Sequence, residues 1–436
     1  MQRERLLEGV RIIALEQVMV LPYATAILAD MGAEVIRVEH PEHLDDRRMG
    51  PWPDNAPGEE WWNGGGTFAY WNRSKKSICL DVYTARGQEL FLKLVRLSDI
   101  VVDNFRTGTM ERLGFDHASL AKVKPDIITL TSNAFGSTGP YRSYGSRART
   151  IDSFCGLSYI SGYEGGPALR ASSNYMDHTG ALHNAFTLLL AIYHKRKTGK
   201  GMRLDSSMYE TGIQCIGPAL LEVQRGILQE RTGSAHPYWK APYNVYPTKG
   251  NDQWIAICVS SDEEWAHLKE AMELPEWACD SRFDTVLGRW ELRKELDRRL
   301  GGWTSQTDHI PLMHQLQQRG IPAGAVHSAG ELVDDPHLGE RDYFAFIGPE
   351  EATNSGIKRY AGRAFADRPF RMPKVETRMR PGPDLGEHNQ EILGGLLGLS
   401  KEEIVRLAEE GILLDRPSKS DLANPPIPNT SASPAL

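Results

Sequence analysis

No glycine separates the first strand-like run of this chain, Val10–Leu15, from its first helix-like run, Tyr23–Met31. The turn between them, beginning at Glu16, therefore lacks the GxGxxG cradle that holds a dinucleotide pyrophosphate, which argues against a nicotinamide-dependent dehydrogenase. The phosphate loop GxxxxGK[ST], the nucleophile elbow GxSxG and the zinc motif HExxH are missing as well. The 13 histidines do not pair with carboxylates at metal-binding spacing, so no metal is expected. His178 and His183 are five apart and face different sides of a helix. Cysteine is scarce and scattered: Cys79, Cys155, Cys215, Cys258 and Cys279 are odd in number and never paired as CxxC. That excludes a disulfide framework and points to reduced thiols in a cytoplasmic protein. No apolar run approaches the ~20 residues of a membrane span. The opening MQRERLLEGV has no apolar core of a secretory signal. There is no basic excess either. With 50 Lys and Arg against 57 Asp and Glu the net charge is -7, which argues against nucleic acid as a partner.

What is present suffices for two to three domains: 436 residues, 40% hydrophobic and 25% charged. Strand-like runs at Val10–Leu15, Glu34–Val38, Ser77–Val82, Asp99–Val102 and Asp126–Leu130 alternate with helix-like runs at Tyr23–Met31 and Thr84–Leu97. This rhythm predicts an α/β fold with a parallel, doubly wound sheet. A Pro-, Gly- and Trp-rich loop covers Pro41–Asn72, including Trp52, Trp61, Trp62 and Trp71. A loop of that length is either functional or packed on the surface by its own tryptophans. A helix over His178–His194 sets Leu182, Phe186, Leu189, Leu190 and Tyr193 on one face. The basic run His194–Arg203 ends it and complements its dipole. Met202–Asp205 reads as a strand and Ser206–Gly217 as a helix.

After Arg225 the texture changes to a hairpin, Tyr243–Tyr246 with Trp254–Val259, helices at Glu263–Met272 and Ile310–Gln318, and a strand at Ile321–Val326. A last helix, Ser400–Glu410, carries a capping box of Ser400 with Glu403. The expected domains are 1–222, large, with a linker; 223–332, small α/β; 333–415; and a disordered tail, 416–436, rich in Pro, Ser and Asn. There is no internal repeat.

The segment Tyr175–Gly180 (YMDHTG) is the most informative. Asp177 stands at the start of the best helix, where an aspartate is a favoured N-cap. The positive end of a helix also favours the anionic carboxylate, and such a carboxylate can attack an electrophilic acyl carbon. Gly180 would leave room for an acyl group.

Several segments in this order and spacing resemble the class III coenzyme A transferases, the family of formyl-CoA transferase and carnitine CoA-transferase. They are LPYATAILADMGAEVIRVE (Leu21–Glu39), NRSKKSICLD (Asn72–Asp81), VVDNFRTGTMERLGF (Val101–Phe115), FGSTGPY (Phe135–Tyr141) and CGLSYISG (Cys155–Gly162). After the Asp177 helix come KTGKG (Lys197–Gly201), IPAGAV (Ile321–Val326), DDPHL (Asp334–Leu338) and LGEHN (Leu385–Asn389). The likeness covers about residues 8–415.

The resemblance implies a Rossmann-like large domain, a smaller domain and a ring-shaped chain in an interlocked homodimer. A heterodimer is also open, since some relatives pair a catalytic chain with one lacking the aspartate. It implies no permanently bound cofactor, with acyl-CoA and a free carboxylic acid as substrates. Asp177 matches the family's catalytic aspartate, whose carboxylate takes the acyl group as a mixed anhydride. Asn104, Phe105, Arg106 and Arg112 match positions that hold the nucleotide part of CoA, and Leu80 and Tyr83 fall where the adenine pocket is lined. Tyr83 replaces a lysine, and His40 an arginine, of formyl-CoA transferase. Met19 and Val20 stand at the first-loop position of its glutamine, which suggests an acid larger and more apolar than oxalate. The small-domain glycine-rich loop of that enzyme is absent, which leaves Trp61 and Trp62 as candidates for shielding the anhydride from water. The rival of another reaction class is a 2-methylacyl-CoA racemase of the same fold. It needs a histidine about 30 residues before the aspartate; none occurs between Ala118 and Asp177, and Arg147, in that place, is a poor base.

Overall fold

The computed structural model describes residues 5–40, 42–170, 174–233, 240–346, 360–372, 375, 379–418 and 422. The expected tail disorder therefore lies almost wholly outside the described residues. The chain divides into two compact units. One comprises Met1–Leu157, Ser172–Gly217 and Glu340–Leu436; the other comprises Ser158–Ala171 and Pro218–Gly339.

The larger unit is built on six parallel strands: β1 (Arg11–Leu15), β2 (Glu34–Glu39), β3 (Lys76–Cys79), β4 (Ile100–Asp103), β5 (Ile128–Asn133) and β6 (Met202–Ser207). Their order is β3-β2-β1-β4-β5-β6. The doubly wound sheet expected from the strand–helix rhythm is present, and its strand order reverses between β1 and β4. In such sheets the crevice beyond the carboxyl ends of the strands at that switch point is where ligands bind. The central strands are buried on both faces, which is why IIAL (Ile12–Leu15) and IVV (Ile100–Val102) read as unbroken apolar runs. Helices α1 (Val20–Asp30), α2 (Gly66–Trp71), α3 (Ala85–Arg96), α4 (Thr109–Leu113), α5 (His117–Val123), α6 (Ala148–Phe154), α7 (Leu157–Ile160, three of whose four residues belong to the smaller unit), α8 (Tyr175–Thr198) and α9 (Met208–Cys215) follow in chain order. Thr84 caps α3 through the Gly87 N–H, so that helix starts where the sequence placed it.

The outer edge of β3 is covered by the C-terminal part of the chain. Asp81 N–H donates to the Ile412 carbonyl, Leu414 N–H to Cys79, and the Asn389 side chain accepts from the Cys79 N–H. An open strand edge would otherwise invite pairing with another chain. The capping box of Ser400 with Glu403 opens the helix Lys401–Glu409 as expected.

The smaller unit carries an antiparallel sheet of β7 (Tyr243–Pro247), β8 (Trp254–Cys258) and β9 (Ala323–Ala325). Ile255, Ile257, Trp265, Leu268, Leu296, Leu300, Leu312 and Leu316 form its core. Buried Arg289 satisfies the carbonyls of Ala241 and Phe283 and pairs with Asp262.

The long helix differs from expectation in two ways. It begins at Tyr175, so Asp177 is the third helical residue and Asn174 is the N-cap, its carbonyl accepting from the His178 N–H. More consequentially, the stripe Leu182, Phe186, Leu189, Leu190 and Tyr193 is exposed, Phe186 at 61% and Tyr193 at 63%. The buried face is the one with small residues: Gly180, Ala181, Asn184, Ala185, Leu188 and Ala191. Small side chains let α8 lie close against α1. A Cβ on Gly180 would stand 2.9 Å from Cγ2 of Val20.

Candidate active site

The site begins at the loop after β1. Val18 is held at φ 66°, a left-handed conformation that β-branched residues rarely adopt. Its neighbours explain how. Gln17 exchanges two hydrogen bonds with the Asn104 side chain, N–H to Oδ1 at 2.9 Å and Nδ2 to the carbonyl at 2.7 Å. The Val18 N–H donates to Asp45 at 3.1 Å. Asn104, which follows β4, thus clips the two loops of the switch point together.

Below this loop lies a buried network that the sequence reading missed. Arg37 pairs with Asp45 at 2.6 Å, lies 3.6 Å from Glu39 and donates to Asn72. Arg48 pairs with Glu39 at 2.7 Å and stacks on the Phe68 ring at 3.6 Å. Lys75 pairs with Glu16 and donates to the Pro22 carbonyl. Three cations meet three carboxylates, so the cluster is neutral, as burial requires. Burial pushes the Glu39 carboxyl up, but Arg48 and Arg37 overcome this and hold it at about 2. Desolvation lowers the Lys75 ammonium to about 8. The strand pattern EVIRVE carries a signal for this network: Arg37 and Glu39 sit in a strand with buried neighbours.

Above the carboxyl ends of β1, β2 and β4 opens a cavity of about 970 Å³. Seven of the expected residues line it: His40, Leu80, Tyr83, Asn104, Phe105, Arg106 and Arg112. Gln17, His43, Asp45 and Met49 line it too, and none of these was foreseen. The Arg106 carbonyl accepts from the Thr109 N–H, while its guanidinium has no ion pair or hydrogen bond among the described residues. Arg112 is exposed, and its guanidinium donates to the Thr109 hydroxyl at 3.0 Å and has no ion pair among the described residues. Two unpaired guanidinium groups on a cavity wall suit phosphate. His40 and Tyr83 meet edge to face at 5.1 Å, and His43 stacks on His40 at 4.9 Å. Burial lowers the His40 pKa despite its contact with Asp81 at 3.2 Å, which disfavours a charge on that ring.

Met19 and Val20 do not line this cavity. Both are buried at the start of α1, and Val20 touches Gly180, one turn along α8 from Asp177. Gln17 in the cavity wall and Val20 are three residues apart, a span of at most about 11 Å. Asp177 is 93% buried, with 7% of its surface exposed. Beside it His178 meets Tyr23 at 5.5 Å and Trp71 at 5.2 Å, and desolvation lowers its pKa. The two expected shielding residues are engaged elsewhere in the loop: Trp61 is buried, its carbonyl accepting from the Trp52 indole at 2.8 Å, and Trp62 meets the Trp61 ring edge to face at 5.7 Å. Trp71 is thus the loop tryptophan that contacts the residue next to Asp177. Arg147 is exposed and paired with Asp46 at 3.2 Å. The five cysteines form no disulfide, and no cluster among the described residues could hold a metal ion. Among the described residues no helix is long and apolar enough to cross a membrane.

The sequence profile of CoA-transferase family III matches residues 7–389. The chain belongs to this family. As a CoA-transferase it takes CoA thioesters as substrates and needs no resident cofactor. It is 32% identical over 418 residues to a succinyl-CoA–D-citramalate CoA-transferase of Chloroflexus aurantiacus, covering 94% of this chain and 98% of that one. It is 31% identical to the alpha subunit of a succinyl-CoA–L-malate CoA-transferase of the same organism, over 94% of each chain. The crystal structure of a CAIB/BAIF family protein from Brucella suis superposes with a TM-score of 0.80 at 26% identity, covering 91% of this chain and all of that one. For a CoA-transferase, the unpaired Arg112 carries a direct expectation. Replacing it with alanine should weaken CoA binding about tenfold, and the difference should shrink as salt is raised. Titration calorimetry with free CoA at two salt concentrations measures both.

Proposed function

We propose that this CoA-transferase moves CoA from an acyl-CoA to a free carboxylic acid through a mixed anhydride on Asp177. The observation that carries the reading is the placement of Asp177. It lies in the first turn of α8, one turn from Gly180, against which the loop leading from the cavity wall packs. A carboxylate Oδ attacks the thioester carbonyl carbon and the C–S bond breaks, releasing CoA thiolate. The acceptor carboxylate then attacks the aspartyl carbonyl and displaces the donor acid, leaving the acceptor as the new anhydride. The thiolate attacks that acyl carbon, forms the new thioester and frees the Asp177 carboxylate. No water is consumed, so the half-buried aromatic ring cluster of Tyr23, Trp71 and His178 is suited to excluding it.

The names of the relatives support succinyl-CoA as donor. The apolar Met19 and Val20, with this neutral aromatic cluster, support an acceptor larger and more apolar than oxalate. In this reading Arg106 and Arg112 meet the phosphates, and His40, Leu80 and Tyr83 meet the adenine. The racemase alternative is disfavoured by Arg147, which is exposed and held by Asp46.

The reading includes an interlocked dimer, and the exposed stripe on α8 supports a partner chain. Phe186→Glu together with Leu190→Glu should turn a dimer into a monomer in light scattering. A dimer unchanged by both would remove the stripe from the interface. A heteromer is the second reading, since one relative is named as an alpha subunit. The test of the chemistry is trapping. The protein is incubated with succinyl-CoA and other acyl-CoAs, treated with hydroxylamine and digested. A hydroxamate is expected on the peptide carrying Asp177. Exchange of the substrate α-proton with solvent and no hydroxamate would instead favour the racemase.

A further inference from the structure

Asp103, the last residue of β4, takes no part in the proposed chemistry and is only 4% exposed. Both of its oxygens are engaged in holding one turn. Oδ1 accepts the Phe105 N–H at 3.2 Å, and Oδ2 accepts the Thr131 hydroxyl of β5 at 2.8 Å. The first bond closes Asp103–Phe105 into an Asx turn, and the second ties that turn to the neighbouring strand. Asn104 ties the same turn to Gln17. The turn delivers Phe105 and Arg106 to the large cavity, and among the described residues no hydrogen bond or ion pair fixes the Arg106 guanidinium there. Its direction is therefore set by the backbone, and the backbone by Asp103 and Asn104.

A neutral side chain could hold such a turn with less desolvation. Burial is the largest influence on Asp103 and lifts its carboxyl to about 7, against the pull of Thr131, the Phe105 N–H and Arg203 and with the push of Glu111. Asp103 does not line the large cavity itself but immediately precedes three residues that do, Asn104, Phe105 and Arg106, and an expensive buried carboxyl so placed is a feature of sites under functional constraint.

We infer that Asp103 is a positioning residue for coenzyme A, acting through the Phe105–Arg106 turn. The inference rests on reading the large cavity as the CoA site.

The test uses the full-length protein, free CoA as the binding probe and succinyl-CoA with hydroxylamine as the probe of chemistry. Asp103→Ala should raise the Kd for CoA about tenfold, yet give the same adduct yield at saturating succinyl-CoA. Asp103→Asn keeps an acceptor for the Phe105 N–H and a polar partner for Thr131, and should bind CoA within about twofold of the parent. A lower melting temperature with unchanged Kd in Asp103→Ala would overturn the inference and leave a purely structural residue. Should that variant not fold, Thr131→Val removes one of the two bonds and should raise the Kd about threefold; an unchanged Kd there overturns it equally. Failure of the parent protein to bind CoA would sink the reading of the cavity itself. Normal binding by the parent with no effect in the variants would sink only the role of Asp103.

Discussion

Asp177→Ala should abolish CoA transfer, by at least about a thousandfold, while CoA still binds within about twofold of the parent. The two readouts separate because the two parts of the site are separate. The cavity wall is made by the loops after β1, β2 and β4, whereas Asp177 belongs to the first turn of α8. Removing the carboxylate takes away the only atom on which the acyl group could rest in the proposed route, so no partial rate is expected from binding alone. The hydroxamate should vanish with it. The helix should survive, because Asn174 remains as N-cap and the loss of one acidic group from the first turn costs about 0.3–1 kcal/mol. Transfer at more than a few per cent of the parent rate would remove Asp177 as the nucleophile.

Arg37→Met should produce the largest loss of stability. The substitution leaves Glu16, Glu39 and Asp45 buried with only Arg48 and Lys75 to face them. Breaking a buried ion pair by removing one partner costs roughly 3–5 kcal/mol. In a chain of this size that lowers the melting temperature by about 3–5 °C. The pH dependence has a definite sign. Glu39 is held at about 2, below its ordinary 4.5. A depressed carboxyl contributes stability that is present above pH 4.5 and is lost as the pH falls toward 2. Without Arg37 its folded pKa must rise, so the acid unfolding limb of the variant should move upward in pH. Asp45 also holds the Val18 N–H, so weaker CoA binding should accompany the instability. Thermal scans from pH 3 to 8 test the prediction. A variant with the parent's melting temperature throughout would show that the network is not what secures the loop.

Much of this protein is legible in its sequence. Alternation of short apolar runs with amphipathic ones determined the parallel sheet, because buried parallel strands must be apolar on both faces and their crossovers must be helices. Caps at Thr84 and Ser400 marked helix starts, since their side chains satisfy backbone groups within three residues. Order and spacing of motifs determined the family, and with it the residues that gather at the switch point.

Other features were settled only by the tertiary structure. On α8 the face with the larger apolar residues is exposed and the face with the small ones is buried. Periodicity reports that a helix has two faces; close approach to α1, which a Cβ at Gly180 would obstruct, decides which one is inside. The loop tryptophans were indistinguishable in sequence, yet Trp52 and Trp61 pack their own loop while Trp71 reaches His178. Glu16, Arg37, Glu39, Asp45, Arg48 and Lys75 are spread from the end of β1 to the start of β3, and their charges are tolerable only because folding brings them together in a neutral cluster. Local sequence specifies what is local: strand, helix, cap and motif. Which charge meets which, and which face meets solvent, depends on long-range packing that no short window of residues contains.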